Sequence, residues 1–164
     1  MERTGTGSVI GARVGTTLAR LVGSVSAAVI TRVPTTERII YLTIDDGPSE
    51  NTLPLLDALD AEDVQATWFV AGENVARNPD TVREVLSRGH RVGLHGYRHL
   101  DAWRNRWELV RSDMEASRSQ LNRIAGYESY MVRPPFGRLR PALLKWCRRR
   151  GDRCPLGCSG TRFF

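Results

Sequence analysis

Apolar positions along this chain switch repeatedly between a period of two and a period near 3.6. Residues 38–44 (RIIYLTI) are β-branched and aromatic and stop at Asp45-Asp46-Gly47-Pro48, which predicts a strand followed by a turn. Ser49 or Asn51 can then cap a helix with Leu55, Leu56 and Leu59 on its apolar face. Residues 66–70 (ATWFV) read as a second strand. Asn78-Pro79-Asp80 is a helix start, with proline in the first turn and an acid beside it, and Val82, Val85 and Leu86 form the apolar face before Gly89. Residues 90–94 predict a third strand. Trp107, Val110, Met114, Leu121 and Ile124 fall on one helical stripe, a core-packing pattern, closed by Gly126. Residues 129–132 predict a fourth strand and residues 141–150 a last helix.

Alternation of this kind means an α/β fold with a mainly parallel sheet. In such folds the chemistry sits where strands hand over to loops at their C-terminal ends. Three unusual clusters lie at those ends. The first is Thr43-Ile44-Asp45-Asp46-Gly47-Pro48. Two adjacent carboxylates repel unless a cation binds one and leaves the other free as a base; a solvated Asp-Asp turn is the other reading. The second is His95-Gly96-Tyr97-Arg98-His99, whose i, i+4 spacing lets two imidazoles share a metal. His90 reads as structural. The third is Arg133-Pro134-Pro135-Phe136-Gly137, where consecutive prolines stiffen the chain and leave the amides of Phe136 and Gly137 for a ligand. Taken together, one Asp and two His form a three-ligand metal site with open positions. The second Asp is placed to deprotonate water, and Arg133 to fix that base. An amide near Phe136 could stabilise an oxyanion. This is the equipment of metal-assisted hydrolysis of an acyl group.

The three clusters resemble the motifs of the polysaccharide deacetylases, the NodB-homology group of carbohydrate esterases. That group reads T-F-D-D-G, H-(S/T)-x-x-H and R-x-P-(Y/F); this chain reads TIDDG at 43–47, HGYRH at 95–99 and RPPF at 133–136. The segments ATWFVAGENV at 66–75 and RGHRVGLH at 88–95 are similar to the group as well. The resemblance implies a distorted (β/α) barrel, here incomplete. It implies Asp45 as general base, Asp46, His95 and His99 as metal ligands and Arg133 as the residue orienting Asp45. Pro135 and Phe136 would lie at the substrate, with the Phe136 amide in the oxyanion hole. The implied metal is zinc, with cobalt or nickel as alternatives. The implied substrate is an acetylated oligo- or polysaccharide, and the implied place of action is the cell envelope or the exterior. Gly96 stands where the family has Ser or Thr, so a hydroxyl that would brace the histidine loop is missing.

The family carries two further motifs. One is an L-W-D-V strand followed by a D-W or D-F pair, whose Asp sits behind the orienting Arg. The other is L-x-H, whose His is the general acid. Neither occurs here, and no histidine follows His99. After Gly151 the sequence reads DRCPLGCSGTRFF, with no strand pattern. We therefore expect a lead-in at 1–36, a partial deacetylase domain at 37–151 and an aberrant tail at 152–164. Dropping one base in the Cys154 codon permits V-L-W-D-V-L-A-R-D-F, which resembles the missing motif; a changed reading frame or a short natural form would give this tail. The fourth strand is then expected to have an open edge, with low solubility and weak activity. An inactive deacetylase-fold fragment acting as a carbohydrate-binding module is the alternative.

Charge refines the picture. The net charge is +6, yet residues 1–137 carry −1 and residues 138–164 carry +7. A uniformly basic nucleic-acid coat is thereby disfavoured, and the basic end lacks interleaved aromatics. Cys147, Cys154 and Cys158 lack paired metal-ligand spacing. The most apolar segment, residues 14–33, is interrupted by Arg20 and has at most the character of a weak signal or anchor rather than a stable membrane span. An iron oxygenase with two His and one carboxylate usually places its first His and the acid two residues apart, whereas Asp46 and His95 lie 49 apart.

Overall fold

The computed structural model describes residues 28–156 apart from 34 and 37. Most of the apolar 14–33 segment, and the tail from residue 157 with Cys158, lie outside the described residues. The elements in chain order are β1 (Val29–Ile30), β2 (Leu42–Gly47), α1 (Thr52–Ala61), β3 (Ala66–Val70), α2 (Gly72–Arg77), α3 (Pro79–Ser87), β4 (Arg91–Leu94), α4 (Trp107–Ala125), a 3-10 turn (Pro135–Gly137), α5 (Pro141–Arg150) and β5 (Cys154–Pro155). Among the described residues no helix is long and apolar enough to cross a membrane.

The expected α/β alternation is present. Strands β2, β3 and β4 form one parallel sheet in that order, and β1 pairs with β5 in parallel. Parallel bridges Leu94↔Val132 and Met131↔Arg153 join the two parts. The predicted fourth strand is thus present only as a bridged pair of residues. The expected open edge beside it is corrected: the Val132 N–H donates to the Arg153 carbonyl (2.8 Å) and the Arg153 N–H to the Tyr130 carbonyl (2.7 Å). Residues 152–156 therefore belong to the fold, despite a sequence with no strand period. Backbone pairing with 130–132 and with β1 supplies what side-chain pattern does not.

β3 shows why the sheet has two different faces. Ala66, Trp68 and Val70 join the main core with Val75, Val82 and Leu143, whereas Phe69 is buried outside that cluster. Gly93 on β4 makes room for Phe69, since a Cβ there would lie 2.5 Å from the ring. α4 presents Val110, Met114 and Leu121 to the core and ends at Gly126 in the left-handed region, as its stripe predicts. The reading of His90 as structural agrees with its position. Its Nδ1 accepts the Ala66 N–H (3.1 Å), and burial pushes its pKa below the ordinary value. α2 and β1 have no counterpart among the predicted elements; α2 is six residues long and β1 two, too short for a period to register.

Candidate metal and catalytic site

β2 delivers both carboxylates. Asp45 pairs in register with Phe69 and Gly47 with Val70, so Asp46 is an extra residue, a bulge with φ 66°. A bulge re-aims a side chain at a strand end. α2 fixes the result, because Asn74 Nδ2 donates to the Asp46 carbonyl (2.8 Å). The same helix start holds the histidine loop: the N–H groups of Gly72 and Glu73 donate to the carbonyls of Gly96 (2.9 Å) and Tyr97 (3.0 Å). Gly72 is needed there, since a Cβ would stand 2.3 Å from the Tyr97 ring.

The site brings Asp46, His95 and His99 together, with one ligand atom from each lying within 4.8 Å of the others. Asp46 Oδ1 is 3.1 Å from His99 Nε2 and 3.5 Å from His95 Nε2. His95 Nδ1 lies 2.7 Å from the Arg133 carbonyl, which fixes the proton on Nδ1 and leaves the Nε2 lone pair for a cation. Burial pushes the His95 pKa down, against the pull of the Arg133 carbonyl and of Asp45 and Asp46. That favours the neutral imidazole, the form a metal requires. The donor set therefore fits a divalent ion of intermediate softness.

Asp45 faces the same space but is held by a different group. Arg133 Nη1 donates to Asp45 Oδ1 (2.7 Å) and to Thr43 Oγ1 (2.9 Å). Arg133 Nε donates to the Pro155 carbonyl (3.0 Å), and its guanidinium lies 4.1 Å from the Phe69 ring centroid. The resemblance implies an Asp behind this Arg; here Arg133 Nε is met by a main-chain oxygen of β5. Pro135 is buried, and Phe136 is exposed with φ 58° and its ring 4.6 Å from His99. The two free amides expected in this turn reduce to one: the Gly137 N–H donates to the Pro134 carbonyl (3.1 Å).

One site residue escaped the sequence reading. Asp113 on α4 is buried, and its carboxylate accepts the N–H groups of Tyr97 (2.7 Å) and Arg98 (3.1 Å). It supplies the brace that a hydroxyl at position 96 would give. A Cβ at Gly96 would meet Asp113 Oδ2 at 2.8 Å, and Gly96 has φ +78°. The available signal was an acid on the buried stripe of α4, next to Met114. Gly96→Ala is expected to cost about 1–2 kcal/mol of backbone strain, before any loss of the Asp113 contact. A lowered urea midpoint together with weakened zinc binding would bear this out; an unchanged zinc affinity would show that the loop is not held this way.

Three protein ligand atoms beside an arginine-held carboxylate make up a candidate divalent-metal site. Residues 32–153 match the family described as polysaccharide deacetylase, and the chain belongs to that family. It is 37% identical over 108 residues to a peptidoglycan-N-acetylglucosamine deacetylase of Bacillus cereus, a match covering 65% of this chain and 39% of that protein. It is 38% identical over 137 residues to a chitin deacetylase of Colletotrichum lindemuthianum, covering 72% and 54%. The chain thus spans about two fifths to half of these relatives. Among solved structures, the Bc1960 peptidoglycan N-acetylglucosamine deacetylase superposes with a TM-score of 0.75 at 32% identity, covering 78% of this chain and 60% of that one. A CE4 family pseudoenzyme of Bacillus anthracis, BA3943, superposes with a TM-score of 0.73 at 23% identity, over 80% of this chain and 47% of that one. That second likeness speaks for the fold alone.

Proposed function

We propose that the chain is a metal-dependent hydrolase that removes acetyl groups from N-acetylated glycans such as chitin oligomers or peptidoglycan strands. The observation that carries this reading is the pairing of one metal-ligand group, Asp46, His95 and His99, with a separately held carboxylate, Asp45. Those three residues would hold zinc, with cobalt or nickel able to replace it. The bound ion would supply Lewis-acid polarisation of the acetyl carbonyl and a lowered pKa for water. Asp45 takes the proton from the attacking water, and Arg133 keeps that carboxylate aligned between turnovers. The Phe136 N–H would donate to the carbonyl oxygen as that oxygen gains charge. The water oxygen bonds to the acetyl carbon, the C–N bond breaks as the nitrogen takes up the proton held by Asp45, and acetate and a free amine leave. We infer that the parallel strands are part of a distorted (β/α) barrel with this site at its C-terminal rim, and that the enzyme works on envelope or extracellular glycan.

One observation favours a second reading. His95 and His99 are committed to the metal group and His90 to the Ala66 amide, so the chain's three histidines leave none for the general acid. A glycan-binding protein with little turnover would have the same site. Acetate release from tetra-N-acetylchitotetraose separates the two. Zinc-loaded protein is expected to release acetate, to stop on chelation and to recover on zinc addition. Glycan binding without zinc-dependent release would leave the binding reading standing alone.

A further inference from the structure

Beside the metal group the rim carries a large aromatic that the catalytic reading does not use. Trp103 is 64% exposed, whereas Trp68 and Trp146 are buried. An exposed indole is usually loosely held, but this one is fixed on several sides. Its Nε1–H donates to the Leu139 carbonyl (3.2 Å), and its backbone N–H donates to Asp101 Oδ1 (2.9 Å). Asp101 is in turn ion-paired with Arg138. Arg140 Nη1 donates to the carbonyls of Ala102 and Asn105 (both 3.0 Å), clamping the loop from the other end. The Arg138 guanidinium lies 5.6 Å from the Trp103 ring and 5.5 Å from Phe136, and Phe136 touches His99. The rim therefore runs from metal ligand to phenyl ring to guanidinium to indole without a break. Arg138 lies over the indole, and most of the side chain stays open to solvent.

A rigid apolar face with a polar edge already satisfied is what a pyranose ring needs. Its axial C–H groups meet the negative face of the ring system, while its hydroxyls stay in water. Little side-chain freedom is lost on binding, because the loop is already pinned. Resting on the deacetylase reading above, we propose that Trp103 is the stacking platform for a sugar residue neighbouring the one that loses its acetyl group. The site then selects acetylated oligosaccharides over single sugars. Phe136 and Arg138 serve to place this platform in line with the metal group.

Zinc-loaded protein in an Asp45→Asn background, which blocks turnover, is titrated with tetra-N-acetylchitotetraose and with N-acetylglucosamine. The tetramer is expected to shield the exposed indole from acrylamide quenching. Trp103→Ala should weaken tetramer binding about tenfold without weakening the monosaccharide to the same degree, and Trp103→Phe should recover most of the loss. Zinc affinity should not change. The proposal is overturned if Trp103→Ala binds tetramer like its parent, or if zinc affinity falls with it. It is also overturned if Trp103→Phe is as weak as Trp103→Ala, since the Leu139 hydrogen bond rather than the ring would then matter. Acetate release by the unsubstituted chain is measured separately. Its failure would count against hydrolysis and leave the stacking result interpretable.

Discussion

Asp45→Asn is expected to lower zinc-supported acetate release about 10²–10⁴-fold, the span that a positioned proton acceptor contributes. Asparagine keeps the shape of aspartate, and its Oδ1 can still accept from Arg133. What it loses is the capacity to take a proton. Zinc affinity should be unaffected, because the donor atoms belong to Asp46, His95 and His99. Asp46→Asn should show the converse, with zinc affinity falling first and activity as a consequence. The adjacent carboxylates are thus distinguished by which measurement each disturbs. Competition with a chromophoric chelator reads the first quantity and acetate release the second. If Asp45→Asn lost zinc and Asp46→Asn kept it, the two roles assigned here would be exchanged.

The second large effect concerns stability. Arg118 on α4 donates through Nη1 to the Ser129 carbonyl (2.6 Å) and through Nη2 to Asp152 Oδ2 (2.7 Å). The Asp152 side chain is fully buried, and burial pushes its pKa up in spite of Arg118. The pair therefore does not fully offset its own desolvation. Removing one partner is another matter, because the survivor is a buried, unmatched charge. Asp152→Ala is expected to cost about 3–5 kcal/mol, read from the urea midpoint. Replacing both, as in Arg118→Met with Asp152→Leu, should cost much less than Asp152→Ala alone. A double substitution as damaging as the single one would show that the ionic pairing itself, rather than an orphaned charge, sets the stability.

The sequence made much of this architecture readable, for identifiable reasons. α4 and α5 have whole-turn apolar stripes and glycines after their ends, so their period and stop are both visible. β3 is apolar on both faces and matches its predicted bounds. The strand read at 38–44 lies instead at Leu42–Gly47. Ile39, Ile40 and Tyr41 have β-type side chains but remain exposed and unpaired in the sheet, so propensity ran ahead of pairing. The convergence of Asp46, His95 and His99 into a candidate metal group was legible because these residue types are rare and their spacing specific. Asp113 was not, because a single acid on an apolar helix face has no spacing to announce it. The contribution of β5 was hidden for a stronger reason: it is made by main chain, on which side-chain pattern is silent.

That last contact changes what position 155 means. The oxygen that steadies Arg133, and through it Asp45, is a peptide carbonyl. Any amino acid would present the same atom there, provided the strand kept its place against Val29 and Ile30. The information that holds the Asp45 carboxylate is therefore stored as strand register rather than as residue identity. A sequence can drift at this point with little effect, whereas a slip of one residue would disconnect Asp45 from its support.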